Sequence, residues 1–88
     1  MDLMLATSKA GHDKKQIYVV VKEDDEYCFL VNGTTKTMIK PKKKKKIHLQ
    51  LIKNIPSEVL EEIKDITALD DISIKRILKS YNRRNKDV

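Results

Sequence analysis

Two runs of β-branched and aromatic residues dominate the pattern: Ile17-Tyr18-Val19-Val20-Val21 and Tyr27-Cys28-Phe29-Leu30-Val31. Both read as strands, and the acidic residues 23–26 between them read as a solvated hairpin loop. Asn32-Gly33 is a favoured type I′ turn pair, which predicts that the chain reverses into a further strand over residues 34–39. Residues 3–6 predict a first strand, and Ile47-His48-Leu49-Gln50-Leu51 alternates apolar with polar as a half-buried last strand does. Five short strands suit a small barrel. After Pro56 the period changes: Val59, Leu60, Ile63 and Ile66 recur at helical spacing, with Ser57 as N-cap and Glu58 in the first turn. A second helix follows, capped by Asp70 or Asp71, in which Ile74, Ile77, Leu78 and Tyr81 fall on one face. The reading is mainly β (α+β): a five-stranded barrel over residues 1–53 and a helical extension over residues 54–88.

Charge changes the picture most in the middle of the chain. Lys42, Lys43, Lys44, Lys45 and Lys46 are consecutive and follow Lys40 and Pro41. Like-charge blocks of this length are normally unstructured and self-repelling, yet apolar segments flank this one, so it reads as a loop held between the fourth and fifth strands. The whole net charge of +6 lies in residues 1–56, and residues 57–88 balance to zero. An asymmetry of this kind gives one strongly positive face, which speeds encounter with anions. The expected partner is a polyanion.

The 88 residues allow one modest core and no large cleft. Cys28 is the only cysteine, so no intrachain disulfide forms, and the composition reads as that of a cytoplasmic protein. No apolar run approaches the ~20 residues needed to span a bilayer. The opening residues, Met1-Asp2-Leu3-Met4-Leu5, lack the basic segment and apolar stretch of a signal peptide.

The segment Ser8-Lys9-Ala10-Gly11-His12-Asp13-Lys14-Lys15-Gln16, followed by the apolar run from Ile17, resembles the KOW motif. It is similar to that of small bacterial KOW-domain RNA-binding proteins, themselves like a class of archaeal and eukaryotic large-subunit ribosomal proteins. In these a strand leads into Ser-x-Ala-Gly-Arg-Asp-Lys-Gly and then an apolar strand. The matches are Ser8, Ala10, Gly11, Asp13 and Lys14. The likeness extends through Gly33, the lysines after Pro41, the pair His48-Leu49 and the C-terminal helices. His12 stands where the family has Arg, and Lys15 where it has Gly. The first removes a bidentate phosphate donor, and the second changes the shape of the loop.

The resemblance implies an SH3-like barrel that binds ribosomal or otherwise structured RNA, with ribosomal proteins as further partners. Residue chemistry independently favours phosphate contact, since lysines attract phosphates and release condensed counterions without reading sequence. The expected RNA-binding residues are Ser8, Lys9, Gly11, His12, Lys14, Lys15, Lys36, Lys40, Lys42, Lys43, Lys44, Lys45, Lys46 and His48. Tyr18, Tyr27 and Phe29 lie in apolar runs and read as core rather than as stacking platforms, and Tyr81 as helix packing, so recognition by shape is favoured over base stacking. A solvated loop or a nuclear-import signal is the plain alternative for the lysines. Two rival functions stand beside RNA binding: a protein-interaction module using the C-terminal helices, and, more weakly, a binder of anionic membrane surfaces. Catalysis has little to stand on. One Cys and two His make no metal set, only Gly11 and Gly33 are present to build a phosphate loop, and Cys28 reads as a small buried hydrophobe. No cofactor, metal, membrane or small-molecule substrate is expected.

Overall fold

The first strand, β1 (Met4–Ser8), lies between β2 (Ile17–Glu23) and β5 (Leu49–Ile52), and the sheet continues through β3 (Tyr27–Val31) to β4 (Lys42–Lys45). This computed structural model describes residues 3–9 and 16–85. Every pairing is antiparallel, in the order β4-β3-β2-β1-β5. The sheet is strongly curled into a half-barrel. A single turn of 3-10 helix, Lys46–His48, joins β4 to β5 and so links the two opposite edges of the sheet. The Lys46 amide donates to the Glu26 carbonyl, and the Lys9 amide to the His48 carbonyl, each at 2.9 Å.

The lysine block departs from the sequence expectation. It is not a loop: four of its residues form β4, paired with β3 so that Lys42 lies opposite Leu30, Lys43 opposite Phe29, Lys44 opposite Cys28 and Lys45 opposite Tyr27. Residues 34–39, expected as the fourth strand, are irregular. The cause lies at Asn32-Gly33. A type I′ turn needs positive φ at both central residues, but among the described residues only Gly33 has it, at +82°. The Asn32 side chain instead organises the loop, its Oδ1 accepting from the amides of Thr34 and Lys36 at 2.9 Å each. The expected strand over residues 47–51 begins two residues later, at Leu49, because Ile47 and His48 belong to the 3-10 turn.

Each face of the sheet buries a cluster of its own, against different things. Toward the concave side point Ala6, Tyr18, Val20, Cys28, Leu30 and Leu49, with Met4 and Leu51 beside them. On the other face Leu5, Ile17, Val19 and Val31 pack under helices α1 (Ser57–Lys64) and α2 (Asp71–Asn85), meeting Val59, Ile63, Ile74, Ile77 and Leu78. The apolar helical faces expected from the sequence thus cover the sheet. Pro56, not Ser57, precedes the first turn of α1, its carbonyl accepting from the Val59 and Leu60 amides at 3.0 Å. Asp70 caps α2, with Oδ1 accepting from the Ser73 amide at 2.7 Å. Asp71 turns outward to the long β3–β4 loop and accepts from the Met38 amide at 2.9 Å. Arg76 and Glu62 tie the helices together at 2.9 Å.

Candidate nucleic-acid interface

Strand alternation sorts the lysines. Side chains directly opposite each other across a strand pair share a face, so Lys42 and Lys44 share the concave face with Leu30 and Cys28, and Lys43 and Lys45 share the outer face with Phe29 and Tyr27. Burial follows the same parity: Lys42 and Lys44 are half-buried, and Lys43 and Lys45 are exposed.

Each inward lysine lays its stem along the apolar interior and finds a partner for its ammonium. Lys44 Nζ donates to Ser8 Oγ at 2.9 Å. Lys42 Nζ lies 5.9 Å from the centroid of Tyr18. Lys46 is also half-buried and pairs with Glu23 at 3.1 Å.

The outward lysines form a different arrangement. Lys43 Nζ lies 4.3 Å from the Tyr27 ring centroid and 6.0 Å from that of Phe29, and Lys22 Nζ lies 5.6 Å from Phe29. An exposed cation–π contact contributes about 0.5–1 kcal/mol, enough to favour these rotamers and weak enough to exchange. Lys22 reaches this face because of a β-bulge: the β2–β3 register shifts between Val20 and Lys22. Without the extra residue, strict alternation would place Lys22 on the concave face with Tyr18 and Val20.

Tyr27 and Phe29 therefore correct the sequence expectation. They are half-buried on the outer face and belong to neither buried cluster, whereas Tyr18 is core as expected. The signal was available in the two-residue period, which puts Tyr27 and Phe29 opposite in sense to Cys28 and Leu30. It becomes readable only once β4 is known to be the lysine strand.

The remaining expected site residues divide. Gly11, His12, Lys14 and Lys15 lie outside the described residues, as do Ala10 and Asp13. Ser8 is buried on β1, and Lys9 and His48 are exposed neighbours joined by their backbones. The structure thus brings Ser8, Lys9, Lys44, Lys46 and His48 to one end of the half-barrel. Lys36 and Lys40 lie on the β3–β4 loop. Lys36 uses its backbone to close that loop onto Asn32 and Gly33, and Lys40 is exposed.

The acidic hairpin borders this surface. Asp24 Oδ1 accepts from the amides of Tyr27 at 2.7 Å and Glu26 at 3.0 Å. Those two hydrogen bonds hold its carboxyl below the usual carboxylate range, with Lys43 and Lys46 adding to the effect. Cys28, fully buried on β3 opposite Lys44, has its thiol pushed up by burial and then by Glu23.

Among the described residues there is no group of His, Cys, Asp and Glu that could hold a metal ion, and no helix is long and apolar enough to cross a membrane. No protein-family model matches this chain, and a search of curated proteins finds no match either.

Proposed function

We propose that this chain is a non-catalytic RNA-binding protein, working in the cytoplasm in association with ribosomal or other structured RNA. The observation that carries the reading is the lysine block held as an edge strand, where Lys43 and Lys45 stand exposed in a row, across Tyr27 and Phe29 of β3 from Lys22 on β2. A fixed row of cations pre-orders its phosphate contacts, so the ordering entropy of a flexible lysine tail is not lost on binding. Phosphate contacts of this kind position a protein on RNA without reading its sequence.

The half-barrel is, in this proposal, an SH3-like barrel of the KOW type. Support comes from the meander whose fifth strand returns to pair with the first, and from the KOW-like residues after Ser8. Lys9 and His48, at the base of that segment, stand beside the end of the lysine strand.

The test is binding to structured ribosomal RNA, unstructured RNA, duplex DNA and anionic vesicles across a salt series, for the wild type and for residues 42–46 changed to Gln. Structured RNA is expected to bind tightest, with a log–log salt slope of roughly −0.7 to −0.9 per phosphate neutralised. Unchanged RNA binding by the Gln variant, or tighter binding to vesicles than to any RNA, overturns the reading.

A further inference from the structure

Tyr27 and Phe29 are two residues apart on β3, which places their side chains about 6.8 Å apart along the strand. That is about twice the 3.4 Å per-nucleotide spacing of a stacked nucleic-acid strand. Two neighbouring bases fit such a pair of rings only if they are unstacked from each other, which paired RNA does not allow and an unpaired segment does. The rings are flanked by cations on both sides: Lys22 on β2, and Lys43 and Lys45 on β4. At the Tyr27 end the acidic residues 23–26 repel phosphate, so the backbone is steered to the lysines beside the rings.

We infer that Tyr27 and Phe29, with Lys22, Lys43 and Lys45, form a platform for two unpaired nucleotides of the bound RNA. This rests on the RNA-binding proposal above and narrows it, because the sequence favours recognition of structured RNA by shape over base stacking. The lysines now over the rings do not block the platform. Base–aromatic stacking outweighs an exposed cation–π contact, so an arriving base displaces the ammonium, which then meets the adjoining phosphate. Stacking of this kind is tolerant of sequence because every base has a π-face.

The experiment compares a blunt 12-base-pair RNA duplex, the same duplex with a four-uridine single-stranded overhang, and oligouridine. Wild type is expected to bind the overhang RNA at least roughly fivefold tighter than the blunt duplex. The double variant Tyr27→Leu/Phe29→Leu is expected to lose that preference while keeping its affinity and its salt slope on the blunt duplex, since no cation is removed. Tyr27→Phe and Phe29→Tyr keep a ring and are expected to keep the preference. If the Leu variant fails to fold, the ring protons of Tyr27 and Phe29 in the wild type give the answer: they are expected to shift upfield on adding oligouridine. Absence of an overhang preference in the wild type, its retention in a folded Leu variant, or unshifted ring protons each overturn the platform. Tight binding to the blunt duplex in those cases leaves the RNA-binding proposal standing, whereas a wild type that binds none of the three RNAs removes both.

Discussion

Lys44 Nζ reaches Ser8 Oγ at 2.9 Å, although β4 and β1 are separated in the sheet by β2 and β3. Three strand spacings amount to about 14 Å in a flat sheet, farther than a lysine side chain extends. The contact exists because the sheet curls toward this face, and the lysine stem covers part of the curled interior. Lys44→Ala is therefore expected to destabilise the fold by about 2 kcal/mol, through lost packing and a lost charged hydrogen bond, and Lys44→Met by about half as much because the stem is retained. Lys43→Ala, on the outer face, is expected to cost no more than about 1 kcal/mol. Urea denaturation of the three variants measures the order, and equal losses at Lys43 and Lys44 contradict the inward placement.

Gly33 is buried against α2, where an added Cβ would lie 2.5 Å from the Asp71 carbonyl oxygen and 2.8 Å from Lys75 Cγ. Its φ of +82° compounds the problem for any other residue. Gly33→Ala is expected to destabilise by about 2–4 kcal/mol, combining backbone strain with overpacking. Thermal melting followed by circular dichroism tests this, and a melting midpoint unchanged from wild type would show that the β3–β4 loop does not lie against α2.

The cap of α2 makes stability depend on acid. Hydrogen bonds from the Ser73 hydroxyl, and then its amide, hold the Asp70 carboxyl below its ordinary value of 3.8. A group whose folded-state pKa is depressed stabilises the fold above its unfolded value and loses that contribution as pH falls through the folded value. Asp70→Ala is thus expected to lower the melting midpoint by about 5 °C at neutral pH. The difference from wild type should shrink once pH drops below 3.8. A difference that stays constant down to the lowest pH at which the protein folds would rule out the charged cap.

Cys28 is fully buried in the concave-face cluster, opposite Lys44 in the sheet, and burial raises its thiol pKa. Thiol reagents react with the thiolate, so at pH 8 labelling is expected to be slow in the native state and fast in denaturant. Labelling as rapid as that of a free cysteine would show that the concave-face cluster around Cys28 is open to solvent.

Most elements are legible in the sequence because local pattern and tertiary setting agree. The runs from Ile17 and from Tyr27 are strands, and Ile74, Ile77 and Leu78 form the buried face of α2. The lysine strand was not legible, since consecutive like charges have low strand propensity and repel one another. What overrides this is supplied from elsewhere in the chain: β3 offers its edge, Tyr18, Tyr27 and Phe29 offer ring faces, and Ser8 and Glu23 offer oxygen partners. An edge position also suits lysines, which discourage further strand addition there. Misplacing that strand hid the outward side of Tyr27 and Phe29. Ser8, Lys9, Lys44, Lys46 and His48 are legible in the sequence as a group, and the fold gathers them at one end of the half-barrel, but it turns Lys44 inward to Ser8 rather than toward a partner.

The alternation of the lysine strand offers the sharpest test of the account, through the salt dependence of binding to structured RNA for two paired variants. Lys43→Gln/Lys45→Gln is expected to weaken binding and to lower the magnitude of the log–log salt slope by about 1.4–1.8, two phosphate contacts' worth. Lys42→Gln/Lys44→Gln is expected to lower stability while leaving the slope near that of wild type. Equal loss of slope in both variants would show that the five lysines act as an unsorted charge cloud, and would contradict the fixed strand on which the proposed function depends.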